Sequence, residues 1–152
     1  MPISCTSVEL PCPAAALRRF LGQPANLPEI SDPEIELEIL AAPEHVSEGA
    51  EIRFQITAIG LKQKATHRYD KVTDSEISEV LIDGVLPAWS HRQLIEPIDD
   101  GHCRLTDEIT FDSPGGMMKF IMSEERILEN IASGMEFRYE TLTQLAEAGD
   151  IS

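Results

Sequence analysis

The chain has 152 residues, 42% hydrophobic and 26% charged, which fits one domain, residues 1–152, able to bury a core. Twelve basic residues against 27 acidic ones give a formal charge of -15, a surface that repels nucleic-acid phosphates and anionic lipid headgroups. No apolar run reaches the roughly 18 residues of a membrane span, and three widely spaced cysteines, Cys5, Cys12 and Cys103, make no zinc pattern.

In chain order, ISCTSVEL (3–10) reads as a first strand. Pro13 suits a first helical turn and Gly22 an end, so PCPAAALRRFLG holds a short helix with Leu17, Phe20 and Leu21 on its apolar face. PANLPEI (24–30) reads as a second short helix interrupted at Pro28.

Six strand candidates follow. EIELEILAA (34–42) places Ile35, Leu37 and Ile39 on one side and glutamates on the other, and EGAEIRFQITAIG (48–60) does the same with Ile52, Phe54, Ile56 and Ala58. KQKATHRYDKV (62–72) is more polar and weaker as a strand. SEISEVLID (75–83), AWSHRQLIEPI (88–98) and HCRLTDEITFD (102–112) complete the run, with Asp83-Gly84 and Asp99-Asp100-Gly101 as turns. Connections this short favour antiparallel neighbours. After SPGGMM (113–118) the period becomes helical: Met117, Ile121, Leu128, Ile131, Met135, Leu142 and Leu145 predict one helix over 117–147, whose apolar stripe needs the sheet as its partner.

Parity picks out a mixed face. Trp89, His91, Gln93 and Ile95 share one side of their strand, and Cys103, Leu105, Asp107, Ile109 and Phe111 share one side of the next. Pairing through the Asp99-Asp100-Gly101 turn brings 93 near 107 and 91 near 109, so His91, Gln93 and Asp107 are expected to form one buried polar cluster. A buried carboxylate needs hydrogen bonds or a cation. His91 is the expected cation, its pKa raised and that of Asp107 lowered. The cluster has three readings: mutual satisfaction that fixes register, a ligand-orienting patch, or a general base with its orienter. Glu124, between Ile121 and Leu128, either snorkels to the sheet edge or points inward. Met117, Met118, Phe120, Met122 and Met135 suit a pliable wall, and equally an ordinary core. His45, His67, His91 and His102 lie in four separate segments, so no metal site is expected.

The segments PCPAAALRRFLGQPANLPEIS, EGAEIRFQITAIGL, AWSHRQLIEP, RLTDEITFD and SPGG, in this element order, resemble the helix-grip superfamily, also called START-like or SRPBCC, over roughly residues 3 to 145. One departure is Gln93, where the related pattern Trp-x-His-x-His has a second histidine; a His-His metal site or imidazole-pair chemistry is thereby put in doubt. The resemblance implies an α+β fold, a curved antiparallel sheet of about seven strands around a long C-terminal helix, enclosing a cavity for lipids, sterols, quinones or polyketides.

The candidate lining is Trp89, His91, Gln93 and Asp107 with Phe54, Phe111, Met117, Phe120, Ile121 and Glu124. The leading expectation is a binder of a hydrophobic or amphipathic small molecule. The alternatives are a polyketide cyclase or dehydratase-like enzyme using His91 and Asp107, and a protein-interaction module whose cavity has collapsed. No cofactor, nucleic acid or membrane insertion is expected, the chain being a monomer or homodimer. The N-terminus shows no basic segment leading into an apolar one, and with the odd cysteine count this makes a cytoplasmic setting the expectation.

Overall fold

The alternating segments form seven strands: β1 (Ile3–Leu10), β2 (Glu38–Ala41), β3 (Glu51–Ala58), β4 (Leu61–Val72), β5 (Glu76–Asp83), β6 (Ala88–Asp99) and β7 (His102–Asp112). The computed structural model describes residues 1–152. Between β1 and β2 lie α1 (Ala14–Leu21) and three 3-10 turns, Pro24–Asn26, Pro28–Ile30 and Pro33–Ile35; after β7 come α2 (Met118–Ile121) and α3 (Glu124–Glu147).

The sheet order is β1-β7-β6-β5-β4-β3-β2, every neighbour antiparallel. Strands β2 to β7 form a meander, because tight turns return each strand beside its predecessor. The β6–β7 turn is fixed by Asp99, whose Oδ1 accepts from the Gly101 N–H at 2.9 Å. It sets the register that pairs His91 with Ile109 and Gln93 with Asp107. The β3–β4 turn is two residues long, with Ile59 at φ 52 and Gly60 at φ 73. Positive φ at both positions matches the twist of a hairpin, and the strain of a branched residue there is offset by packing of Ile59 against a small apolar cluster.

Two expectations are corrected and one is sharpened. The segment 34–42 is not one strand: Pro33 starts a 3-10 turn, Glu36 adopts φ 47, and only Glu38–Ala41 joins the sheet edge. The polar strand candidate 62–72 forms, as a 12-residue strand paired on both sides. Its alternation is carried by charge: Lys62, Lys64 and Arg68 lie outside, while His67 and Tyr69 are buried. The helix over 117–147 is broken. Met122 leaves helical geometry, and Ser123 caps a new helix by accepting from the Arg126 N–H at 3.3 Å. The 24 residues of α3 span about 36 Å.

Two apolar clusters hold the layers together. The larger contains Leu10, Leu17, Leu21, Ile52, Ile77, Ile95, Leu105 and Leu142 among its 16 buried residues; the smaller has five, Ile109, Phe111, Met122, Ile127 and Ile131. They are separated along single elements. On β7, Asp107 lies between Leu105 of one and Ile109 of the other; on α3, Arg138 lies between Ile131 and Leu142.

Candidate functional site

The boundary between the clusters is a polar belt crossing the concave face of the sheet. Asp107 is fully buried, and all of its acceptor positions are filled. Oδ1 accepts from His91 Nε2 at 2.6 Å and from Arg138 Nη2 at 3.1 Å, while Oδ2 accepts from Arg138 Nε at 3.2 Å and the Tyr139 hydroxyl at 2.9 Å. Arg138 Nη2 also donates to Gln93 Oε1 at 2.7 Å, and Tyr139 is held by the Thr6 hydroxyl at 2.8 Å. On the other side of His91, its Nδ1 faces Glu79 Oε1 at 3.7 Å; Glu79 Oε2 accepts from His67 Nδ1 at 3.2 Å.

The electrostatics follow from these contacts. Burial alone disfavours a charged imidazole at His91, but its hydrogen bonds to Asp107 and Glu79 outweigh this and push its pKa up to about 9. Burial likewise opposes ionisation of Asp107; the Arg138 guanidinium and His91 reverse that and hold the carboxyl down to about 2. Glu79 is drawn well below the usual carboxylate range, because His67 and His91 outweigh its desolvation. Burial and the charge of Asp107 push the Tyr139 hydroxyl up, keeping it a donor. Glu79 and Asp107 as anions thus face His91 and Arg138 as cations.

Beside the belt lies a cavity of about 230 Å³ between the sheet, the 3-10 turns and α3. Leu27, Ile30, Ile35, Leu37, Ile52, Phe54, Ile56 and Met135 form its apolar walls; His67, Glu79, His91, Gln93 and Arg138 are its polar side, with Trp89 at one end. A recess of about 140 Å³ toward Gly84, Val85 and Leu86 shares Phe54, Ile56, His67 and Trp89 with it. Gly134 of α3 lines the cavity, and a Cβ there would meet nothing within 4 Å.

Of the residues singled out from sequence, Trp89, His91, Gln93 and Phe54 line this cavity, and Asp107 lies behind His91 and Gln93, sealed from it. Phe111 is fully buried in the smaller cluster, its ring 6.0 Å from that of Trp89, and does not line the cavity. Met117 and Phe120 are 86% and 81% exposed, and Ile121 also lies outside. The break at Met122 is the reason: it turns Met118 and Met122 inward and the intervening faces outward. Glu124 is exposed in the first turn of α3, beside an open acidic depression it shares with Glu125 and Glu129, where the helix dipole favours anions.

Four members of the belt escaped sequence reasoning, though each left a signal. Glu79 is a carboxylate between Ile77 and Leu81 on one strand face, the same pattern that exposed Asp107. His67 shares its face with Tyr69. Arg138 occupies the apolar ladder of α3 between Ile131 and Leu142, where a charge needs a buried partner. Tyr139 is its neighbour and left only a weak signal.

The architecture recurs in solved structures. A protein from Thermus thermophilus superposes with a TM-score of 0.72 over 97% of this chain and 99% of its own, at 13% identity. A START superfamily protein from Mycobacterium smegmatis gives 0.63 over 93% of this chain and 99% of its own, at 21% identity. The chain has the helix-grip fold. The same helix-grip unit matches 47% of the di-domain ARO/CYC protein BexL of the BE-7585A biosynthetic pathway, covering 97% of this chain with a TM-score of 0.68 and 18% identity. No family model and no curated protein matches the sequence. At these identities the likeness is one of fold, and function has to be argued from the site.

Proposed function

We propose that the chain binds an apolar or amphipathic small molecule, of lipid, quinone or polyketide-like character, in the cavity between sheet and α3. The observation that carries this is the hollow itself, apolar on most sides and polar on one, beside a belt whose charges already face partners. A sealed network with no adjoining space would serve register alone. The START superfamily protein and the ARO/CYC protein that share the fold support the reading. Burying about 300 Å² of apolar ligand surface contributes roughly 7 kcal/mol before ordering and desolvation costs, enough for useful affinity with few polar anchors. The hollow also weighs against an interaction module with a collapsed interior. Three free cysteines, two of them with Sγ atoms 3.9 Å apart and unbonded, support the cytoplasm as its place of action.

The His91–Asp107 pair is not the seat of catalysis in this reading. Both imidazole nitrogens face carboxylates, and Asp107 has no acceptor position left, so the pair acts as a charged strut. The test is titration of Trp89 fluorescence with single-chain lipids, quinones and aromatic polyketides, alongside a Gly134→Phe variant that fills the hollow. A saturable response in the native chain and none in the filled variant is expected. Silence of the native chain across the panel would sink the proposal.

A further inference from the structure

We infer that His67, oriented by Glu79, transfers protons to and from a small cyclic ketone held in the cavity. This rests on the cavity being a ligand site and adds an activity to it. His67 lies on β4 with Nδ1 3.2 Å from Glu79 Oε2, a carboxylate oxygen that accepts, so the neutral imidazole carries its lone pair on Nε2. That Nε2 has no hydrogen-bond partner in the chain, yet every fully sealed side-chain nitrogen and oxygen has one. His67 is 8% exposed and lines both the cavity and its recess, so its open nitrogen is directed at ligand space. Phe54 meets the ring edge-on, centroids 4.8 Å apart, and holds its plane.

Gln93 supplies the complementary group. Its Oε1 is taken by Arg138, while its amide nitrogen has no partner and its side chain, on a residue 4% exposed, lines the same cavity. A base, a neutral donor and apolar walls make up the set needed to remove a proton beside a carbonyl. Group transfer is not supported by the lining. Its one hydroxyl, on Ser31, donates to the Leu27 carbonyl at 2.7 Å, and no lysine or cysteine is present. The volume suits a ligand of one or two rings.

In the step, the His67 Nε2 lone pair takes the α-hydrogen. The C–H bonding pair becomes the new C=C bond, and the carbonyl π pair moves onto oxygen, which accepts from the Gln93 amide. Glu79 stabilises the resulting imidazolium as a positioning residue. Exchange of the imidazolium proton with solvent before its delivery to the same carbon gives isotope exchange, and delivery to a conjugated carbon gives isomerisation, with no oxidant or reductant needed.

The experiment uses 2-tetralone in D2O, following loss of its C1 proton by NMR, with Trp89 fluorescence reporting binding. The native chain is expected to accelerate exchange at least about 100-fold over buffer. His67→Gln keeps a donor toward Glu79 but has no base, so exchange at saturating 2-tetralone falls to the buffer rate. In His67→Ala, added imidazole restores exchange, which a purely structural histidine does not allow. Glu79→Gln lowers kcat about 10-fold with KM unchanged. Binding without accelerated exchange, or native rates in His67→Gln, overturns the inference and leaves the binding proposal standing. No fluorescence response to 2-tetralone overturns the substrate class; only silence across the wider panel removes the binding proposal as well.

Discussion

The two ends of the concave face are filled differently. Under α1, leucine and isoleucine side chains from β1, β3, β5, β6, β7 and α3 interlock into a cluster of 16 buried residues, with Leu10, Leu17 and Leu142 fully covered. Toward α2 the cluster shrinks to five, and the polar belt and the hollow occupy the space between. Packing at the first end needs only shape and apolar surface. At the belt, four charges must be placed so that each desolvation cost is met by a partner, and such charges do not collapse onto a void as leucines do. The belt therefore both splits the core and keeps it from closing. Stability is concentrated at the α1 end, and the ligand space lies between the two clusters.

That division can be broken most severely at Asp107. Asp107→Ala leaves Arg138 and His91 buried without their anion, and a loss of about 3–5 kcal/mol in chemical denaturation is expected. A loss below about 1 kcal/mol would mean that the belt is not a structural boundary. Leu142→Ala opens a cavity in the solid end and is expected to cost about 2–5 kcal/mol, whereas Ile56→Ala, on a half-buried wall of the hollow, costs less and weakens ligand binding instead. If the two alanine variants have the same denaturation midpoint, the ends do not differ as described.

Titration gives an intermediate effect. His91 has a pKa of about 9 in the folded chain against its ordinary 6.5, so its contribution is complete below pH 6.5 and disappears as pH rises through 9. The expected decline is about 3 kcal/mol, and His91→Gln flattens it. Asp107 works in the opposite sense: its contribution is present above its ordinary 3.8 and is lost as pH falls through about 2. Thermal melts across about pH 1.5 to 10 read both limbs, and an unchanged native melt from pH 6.5 to 9 would contradict the protonated His91. The smallest effect is at Gly134. Gly134→Ala gains up to about 1 kcal/mol from helix propensity, since the added carbon meets nothing. A destabilised variant would show that the hollow is narrower there than the structure has it.

Much of this arrangement could be read from the chain alone, because strand alternation is a local rule with period two. Once Asp99-Asp100-Gly101 is taken as the β6–β7 turn, the pairing of Gln93 with Asp107 and of His91 with Ile109 follows by counting, and the burial of Cys103, Leu105, Asp107, Ile109 and Phe111 follows from parity. Glu79 was equally legible by the same count. The helix was harder: extending one apolar ladder back to Met117 ignored that Ser123 is a capping residue, and Met117, Phe120 and Ile121 came out on the wrong face.

The amino-acid order thus determined the strand faces, the meander and the presence of a buried carboxylate needing a cation. Only the folded chain decided which cations arrive and that space remains beside them. Arg138 reaches Asp107 from 31 positions away, and His67, Glu79 and His91 meet across three strands, distances set by sheet curvature and by where α3 crosses it. Curvature and crossing are sums over all seven strands, and no local pattern encodes them.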